Sequence, residues 1–151
     1  MPHAAPSDAI CLPPISPQRY RGLVEVVGAD DARRAKLVSL TRITPGSLVA
    51  EFQGLRRTPE RSYLSVQVGR NEHVLLNSEF QYMNHSCDPN VYFALPLMRI
   101  RALKNINIGD EITYFYPSTE WSMVEPFDCW CKSRLCLGRI AGAEALPPDM
   151  I

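Results

Sequence analysis

Apolar positions in this chain fall into short clusters separated by turn residues. Leu23 to Val27, Leu37 to Thr41, Leu48 to Phe52, Tyr63 to Val68 and His73 to Leu76 are brief and rich in β-formers, which predicts strands. Pro45-Gly46 suits a type II turn between two of them. Ser78 to Met83 predicts one or two helical turns with Ser78 as N-cap, just after Asn77. Val91 to Leu95, Met98 to Leu103 and Glu111 to Tyr116 complete the strand set, the last two separated by a loop that includes Asn105 to Asp110. No internal repeat and no long amphipathic helix is present, so the class is mostly β with short helices and much loop. One stretch breaks the apolar pattern: Asn84-His85-Ser86-Cys87-Asp88-Pro89-Asn90 contains no aliphatic residue. A run this polar is either an exposed turn or a site.

With 151 residues the chain has the size of one domain. Residues 1–19 hold five prolines among small residues and are expected to form a tail. Sixteen basic and sixteen acidic residues balance, which argues against direct nucleic-acid binding or a membrane-surface role. The charges are unevenly placed. Arginine and lysine crowd the first half, whereas Asp110, Glu111, Glu120, Glu125 and Asp128 lie in a stretch without either. That stretch suits a cationic substrate or is simply a solvated face. No apolar run approaches membrane-spanning length, and the N-terminus lacks the order of a secretory signal, so a soluble intracellular protein is expected, with nucleus and cytoplasm both open.

Five cysteines are an odd number, and Cys129, Cys131 and Cys136 form a C-x-C-x4-C cluster that favours metal over disulfides. Three thiolates at about 2.3 Å suit one structural zinc, which wants a fourth ligand. Cys87, Cys11, His3, His73 and His85 are the candidates, with Cys87 favoured because it lies in the polar run. Cys11 is expected to be a free thiol.

Asn84-His85-Ser86-Cys87, then Gly109-Asp110-Glu111-Ile112-Thr113-Tyr114-Phe115-Tyr116, then the cysteine cluster together resemble a SET domain followed by its post-SET zinc loop. The resemblance covers roughly residues 20–140, with weaker agreement at Thr44 to Val49 and Ser62 to Leu64. It implies a fold of several small β-sheets with a C-terminal pseudoknot, divided as tail 1–19, SET domain 20–118, post-SET zinc loop 119–140 and C-terminal tail 141–151. It also implies an S-adenosylmethionine-dependent lysine methyltransferase. On that pattern Tyr116 is the catalytic tyrosine, Tyr63 a channel tyrosine, and Phe115 part of the wall. Asn84 and His85 are expected to hold the cofactor, with Lys36 and Leu37 beside it, while Cys87, Cys129, Cys131 and Cys136 hold zinc. Most of the catalysis would be positioning of a neutral amine in a narrow dry channel.

The chain departs from the family pattern in places that bear on function. Arg34-Ala35-Lys36 stands where relatives usually carry Gly-x-Gly, and side chains there are expected to crowd the cofactor. Gln81 replaces a frequent arginine, Phe115 a frequent aspartate and Lys132 a frequent glycine. The short segment between Gln53 and Ser62 would grip a histone-like peptide poorly unless a partner or a second copy of the chain supplied a wall. On the resemblance the expected partner is a protein lysine substrate or an unknown small molecule, with a homo-oligomer possible. The alternatives are a SET scaffold that no longer transfers methyl and serves as a binding or assembly module, and one recruited to a small-molecule substrate.

Overall fold

Among the described residues, backbone pairing forms five small sheets. The computed structural model describes residues 23–31, 34–76 and 78–151. Its strands are β1 Val24–Val27, β2 Lys36–Ser39, β3 Leu48–Glu51, β4 Arg57–Thr58, β5 Ser65–Gly69, β6 Glu72–Leu75, β7 Asn84–His85, β8 Val91–Ala94, β9 Arg99–Ala102, β10 Thr113–Tyr114, β11 Phe127–Asp128 and β12 Arg139–Ile140. Strands β1 and β2 form an antiparallel pair, β3-β9-β8 and β4-β6-β5 form three-stranded antiparallel sheets, and β11 pairs with β12. Only β7 and β10 run parallel among the described pairs. The proline-rich segment 1–19, with Cys11 and His3, lies outside the described residues.

Period-two alternation decides what faces inward. On β8, Val91 and Phe93 are buried while Tyr92 is exposed, and on β9 Ile100 and Ala102 are buried. These side chains join Leu37, Val49, Ala50, Phe80 and Ile112 in one core. Phe52 links its parts, edge-on to Phe80 with centroids 5.8 Å apart and stacked on Phe93 at 6.0 Å. Each such side chain contributes about 1.5–3 kcal/mol when removed from water. Gly46 has φ +79°, as the second central residue of a type II turn requires.

The helical turn expected at Ser78 to Met83 forms as a single 3-10 segment, Glu79–Tyr82, and the Ser78 hydroxyl caps it by accepting from the Phe80 N–H. The strand expected from Glu111 to Tyr116 shrinks to Thr113–Tyr114, because Pro117 lacks an N–H and the chain turns into a 3-10 segment at Tyr116–Ser118. Tyr63 does not open β5 as expected. It sits in a turn closed by Ser65 N–H to Ser62 O at 3.1 Å, and the strand begins at Ser65.

The polar run joins the fold largely through hydrogen bonds, with only the His85 ring packed against aromatic neighbours. Asn90 donates through Nδ2 to Glu111 O at 2.8 Å and accepts through Oδ1 from the Thr113 N–H at 3.0 Å. The Ser86 N–H donates to Tyr114 O at 3.1 Å. A strand of two residues is thereby held without an apolar face of its own.

The segment 141–151, expected as a tail, is tied down where it begins. Ala143 N–H donates to Glu120 O at 2.8 Å, and Glu144 N–H to Trp121 O at 3.0 Å. Gly142 has φ +114°, and a Cβ there would collide with the Trp121 carbonyl. Gly54 has φ +66° but open space around it. Gly54→Ala should therefore cost about 1 kcal/mol for the left-handed backbone. Gly142→Ala should cost about 1–3 kcal/mol more, from overpacking. Urea unfolding of the two variants measures the difference, and equal midpoints would refute the close packing of this corner.

Candidate functional site

The pairing of β7 with β10 sets two residues of the polar run against the end of the Glu-Ile-Thr-Tyr-Phe-Tyr segment. Asn84 faces Thr113 and His85 faces Tyr114. From there Asn84 Nδ2 donates to Ala35 O at 3.0 Å and to Glu111 Oε1 at 2.8 Å, which fixes its amide. His85 reaches two ways. Its Nδ1 accepts from the Tyr116 N–H at 3.1 Å, and its Nε2 lies 3.2 Å from Cys87 Sγ. Phe115, Tyr116 and Phe127 pack around the ring with centroids 5.4–5.7 Å away. Burial lowers the His85 pKa to about 4, so the imidazole is neutral near pH 7.

Tyr116 is held at its far end as well, its hydroxyl donating to Met83 O at 2.7 Å. Burial pushes its pKa far up, with Tyr114 and Glu111 acting in the same direction, so it stays a protonated phenol. Tyr114 is raised likewise by burial, although the Thr119 hydrogen bond opposes the shift. Met83 O is a part of this arrangement that no sequence motif singled out, and only proximity across the fold reveals it and the bond from Asn84 to Glu111.

A cavity of about 730 Å3 opens here, within the range of small-molecule sites. Asn84, His85, Tyr114, Tyr116, Tyr63, Phe127 and Trp130 line it, together with Glu111, Glu120, Glu125 and Asp128, and among the described residues no lysine or arginine does. Four of the five acidic residues of the stretch thus line one cavity, Asp128 accepting from Arg139 Nη1 at 3.0 Å. The fifth, Asp110, accepts from the Asn107 N–H in a turn. Burial raises Glu120 to about 7, against the opposing effects of the Gln67 N–H and Arg61. Tyr63 lines the cavity while remaining 48% exposed, so it stands at the solvent side.

Lys36 and Leu37, expected beside the cofactor, do not line this cavity. Lys36 is exposed, and Leu37, 0% exposed, lies in the core. Arg34 turns outward, its Nε donating to Asp31 Oδ2 at 3.0 Å with three-quarters of the side chain exposed.

The sulfurs of Cys87, Cys129, Cys131 and Cys136 all lie within 4.8 Å of one another. A tetrahedron with zinc–sulfur bonds of about 2.3 Å has edges of about 3.8 Å, and Cys87 Sγ lies 3.9 Å from Cys129 Sγ. That separation is far beyond a disulfide bond of about 2.05 Å, and all four thiols are free. The donor set therefore fits one tetrahedral metal. His73, proposed as an alternative fourth ligand, lies on β6 outside this cluster, and His85 touches it only through Cys87. Burial raises Cys87 and raises Cys129 to about 12. Burial would raise Cys131 too, but N–H groups of Cys87 and Ser133 and the neighbouring thiols outweigh it, bringing Cys131 down to about 6. A metal entering here would displace the remaining thiol protons.

Small sheets, a parallel pairing that sets an Asn-His pair beside a tyrosine, and a four-thiol cluster together define a SET-type architecture. A family model described as the SET domain matches residues 34–117, and the chain belongs to that family. Methyltransferase flvH of Aspergillus flavus is 35% identical over 130 residues, covering 85% of this chain and 73% of that protein. Among solved structures, KRYPTONITE in complex with mCHH DNA, an H3(1-15) peptide and SAH is similar at a TM-score of 0.56 and 24% identity. The methyltransferase domain of human SETMAR is similar at 0.54 and 17%. These likenesses cover 77% and 72% of this chain and 29% and 54% of those chains, and at such identities they are likenesses of fold. No helix among the described residues is long and apolar enough to cross a membrane.

Glu120 has a consequence for stability. Its pKa rises from an ordinary 4.5 to about 7 on folding, so the folded state holds the proton more tightly. Its contribution is therefore present below about pH 4.5 and is lost as pH rises towards 7. His85, lowered from 6.5 to about 4, works the other way, costing stability as pH falls through that window. Subtracting the unfolding profile of Glu120→Gln from that of the wild type should leave a curve that declines from pH 4.5 to 7. A flat difference would mean that the carboxylate is not buried as described.

Proposed function

We propose that this chain is an S-adenosylmethionine-dependent methyltransferase that presents a primary amine, of the protein-lysine type, to the cofactor's methyl group, with one structural zinc held by Cys87, Cys129, Cys131 and Cys136. The observation that carries the proposal is the cavity shared by Asn84, His85 and Tyr116, lined by Glu111, Glu120, Glu125 and Asp128 and, among the described residues, by no lysine or arginine, although Arg139 pairs with Asp128 at 3.0 Å. Such a wall favours cations, and both a sulfonium and an alkylammonium are cations. Membership of the SET-domain family and the name of the Aspergillus relative support methyl transfer, and the H3 peptide in the KRYPTONITE structure supports a peptide lysine.

When bound, S-adenosylmethionine supplies an activated methyl group on a sulfonium. Asn84 and His85 are the residues proposed to hold it. The amine must reach the reaction centre neutral. Glu120, ionised in part near pH 7, is able to take a proton from an incoming ammonium inside the same cavity. Tyr116, its proton given to Met83 O, keeps oxygen lone pairs to accept an amine N–H and so to orient it. Tyr63, at the solvent side, would flank the entering side chain. Aromatic faces nearby favour the cationic groups.

A scaffold that has lost transfer was motivated by Arg34 and Lys36. Their outward course supports transfer over that reading. A small-molecule amine remains the second substrate class, favoured by the brevity of β4, whose two residues are all the strand formed between Gln53 and Ser62.

Calorimetry should show one S-adenosylmethionine bound per chain, and no heat at millimolar cofactor would overturn the proposal. Transfer to lysine peptides and to free amines then separates the two substrate classes. Tyr116→Phe should keep cofactor affinity and lower turnover by about 100-fold, through lost orientation. Metal analysis should find one zinc per chain. Lys132, where relatives often carry glycine, has φ +58°. Lys132→Gly should relieve about 1 kcal/mol of backbone cost and tighten zinc by about fivefold in chelator competition. Unchanged affinity would show that the loop's backbone is not what limits binding.

A further inference from the structure

Both ring nitrogens of His85 are engaged, and they face different parts of the site. Nδ1 receives the Tyr116 N–H at 3.1 Å. A backbone N–H only donates, so Nδ1 must be the bare nitrogen, and a neutral imidazole then carries its proton on Nε2. That proton points to Cys87 Sγ, 3.2 Å away. The ring has little room to turn, being packed by Phe115, Tyr116 and Phe127 on a backbone paired with β10. Tyr116 is thus held at its backbone by His85 and at its hydroxyl by Met83 O, 2.7 Å away.

We propose that His85 is a positioning residue that couples the metal state of the four-thiol cluster to the placement of Tyr116. A metal fixes the Cys87 sulfur in place, the sulfur fixes the direction of Nε2–H, and the ring then presents Nδ1 to the Tyr116 N–H. The Cys87 sulfur also accepts from the Leu137 N–H at 3.4 Å, so the same atom senses closure of the cysteine loop. If the metal is lost, the sulfur is free to move and the ring loses the partner that orients it. The inference rests on the zinc and Tyr116 roles proposed above, and it adds the wire between them.

The test uses the full chain loaded with zinc and read by NMR, independently of turnover. Long-range 15N–1H correlation should find the His85 proton on Nε2. Exchange of zinc for cadmium, which lengthens the metal–sulfur bonds, should shift the Tyr116 amide resonance. His85→Phe should weaken zinc by about 10–100-fold, as loss of a group that orients a ligand does. His85→Gln restores a donor near the Nε2 position and should recover most of that affinity. His85→Asn restores an acceptor near Nδ1 and should keep the Tyr116 amide in place while abolishing its response to the metal exchange. A proton on Nδ1, or a Tyr116 amide that responds equally in wild type and His85→Asn, would overturn the coupling while leaving the zinc assignment standing. Failure to bind any metal would overturn both. The tautomer is read on the wild type, so a variant that does not fold leaves that measurement decisive.

Discussion

Hydrogen bonds, with one ring contact from His85 to Phe115 and Tyr116, join the polar run 84–90 to the segment 111–116. Asn90 supplies both a donor and an acceptor to that segment, and the Ser86 N–H adds a third bond. Each such bond is worth only about 1 kcal/mol net, and together they replace the apolar face that the two-residue strands lack. The consequence is positional. Because β7 and β10 are parallel and in register, the side chains of Asn84 and His85 and the backbone of Tyr116 meet at one end of the pairing, while Cys87 passes on to the cysteine loop.

This origin explains which parts were legible in the sequence. Runs such as Leu48 to Phe52 and Val91 to Leu95 are short clusters that include β-branched and aromatic residues, so their strand character shows locally, and the observed strands fall inside them. The pairs β7, β11 and β12 carry no such pattern. Their partners lie far along the chain, Thr113 opposite Asn84, and only the folded topology brings them together. The cysteines divide similarly. Three of them announce themselves by spacing, while Cys87 is 42 residues away from Cys129 and could be favoured only through its polar surroundings. The acidic stretch read ambiguously as a cation site or a solvated face because charge alone does not show which way a carboxylate points. Glu111 and Glu120 line the cavity and Asp110 closes a turn, although Asp110 and Glu111 are neighbours.

The segment at Lys36 and Leu37 meets the site through its backbone. Lys36 is exposed while Leu37, Val38 and Ser39 are buried, and the Ala35 carbonyl receives the Asn84 amide.

That carbonyl also bears on the missing glycines. A Gly-x-Gly segment allows close backbone approach because no Cβ intervenes. Here the middle residue, Ala35, is buried with a side chain of a single carbon, and its flanking residues point away: Arg34 is drawn to Asp31, and Lys36 is exposed. Bulk has been added on the outer face of the segment, while the carbonyl that fixes Asn84 stays on the inner one. The segment therefore keeps its contact to Asn84 without glycine. An exposed pair such as Arg34–Asp31 contributes about 0–1 kcal/mol to stability. Its greater effect is on direction, since it holds the Arg34 guanidinium on the outer surface, opposite the carbonyl that fixes Asn84.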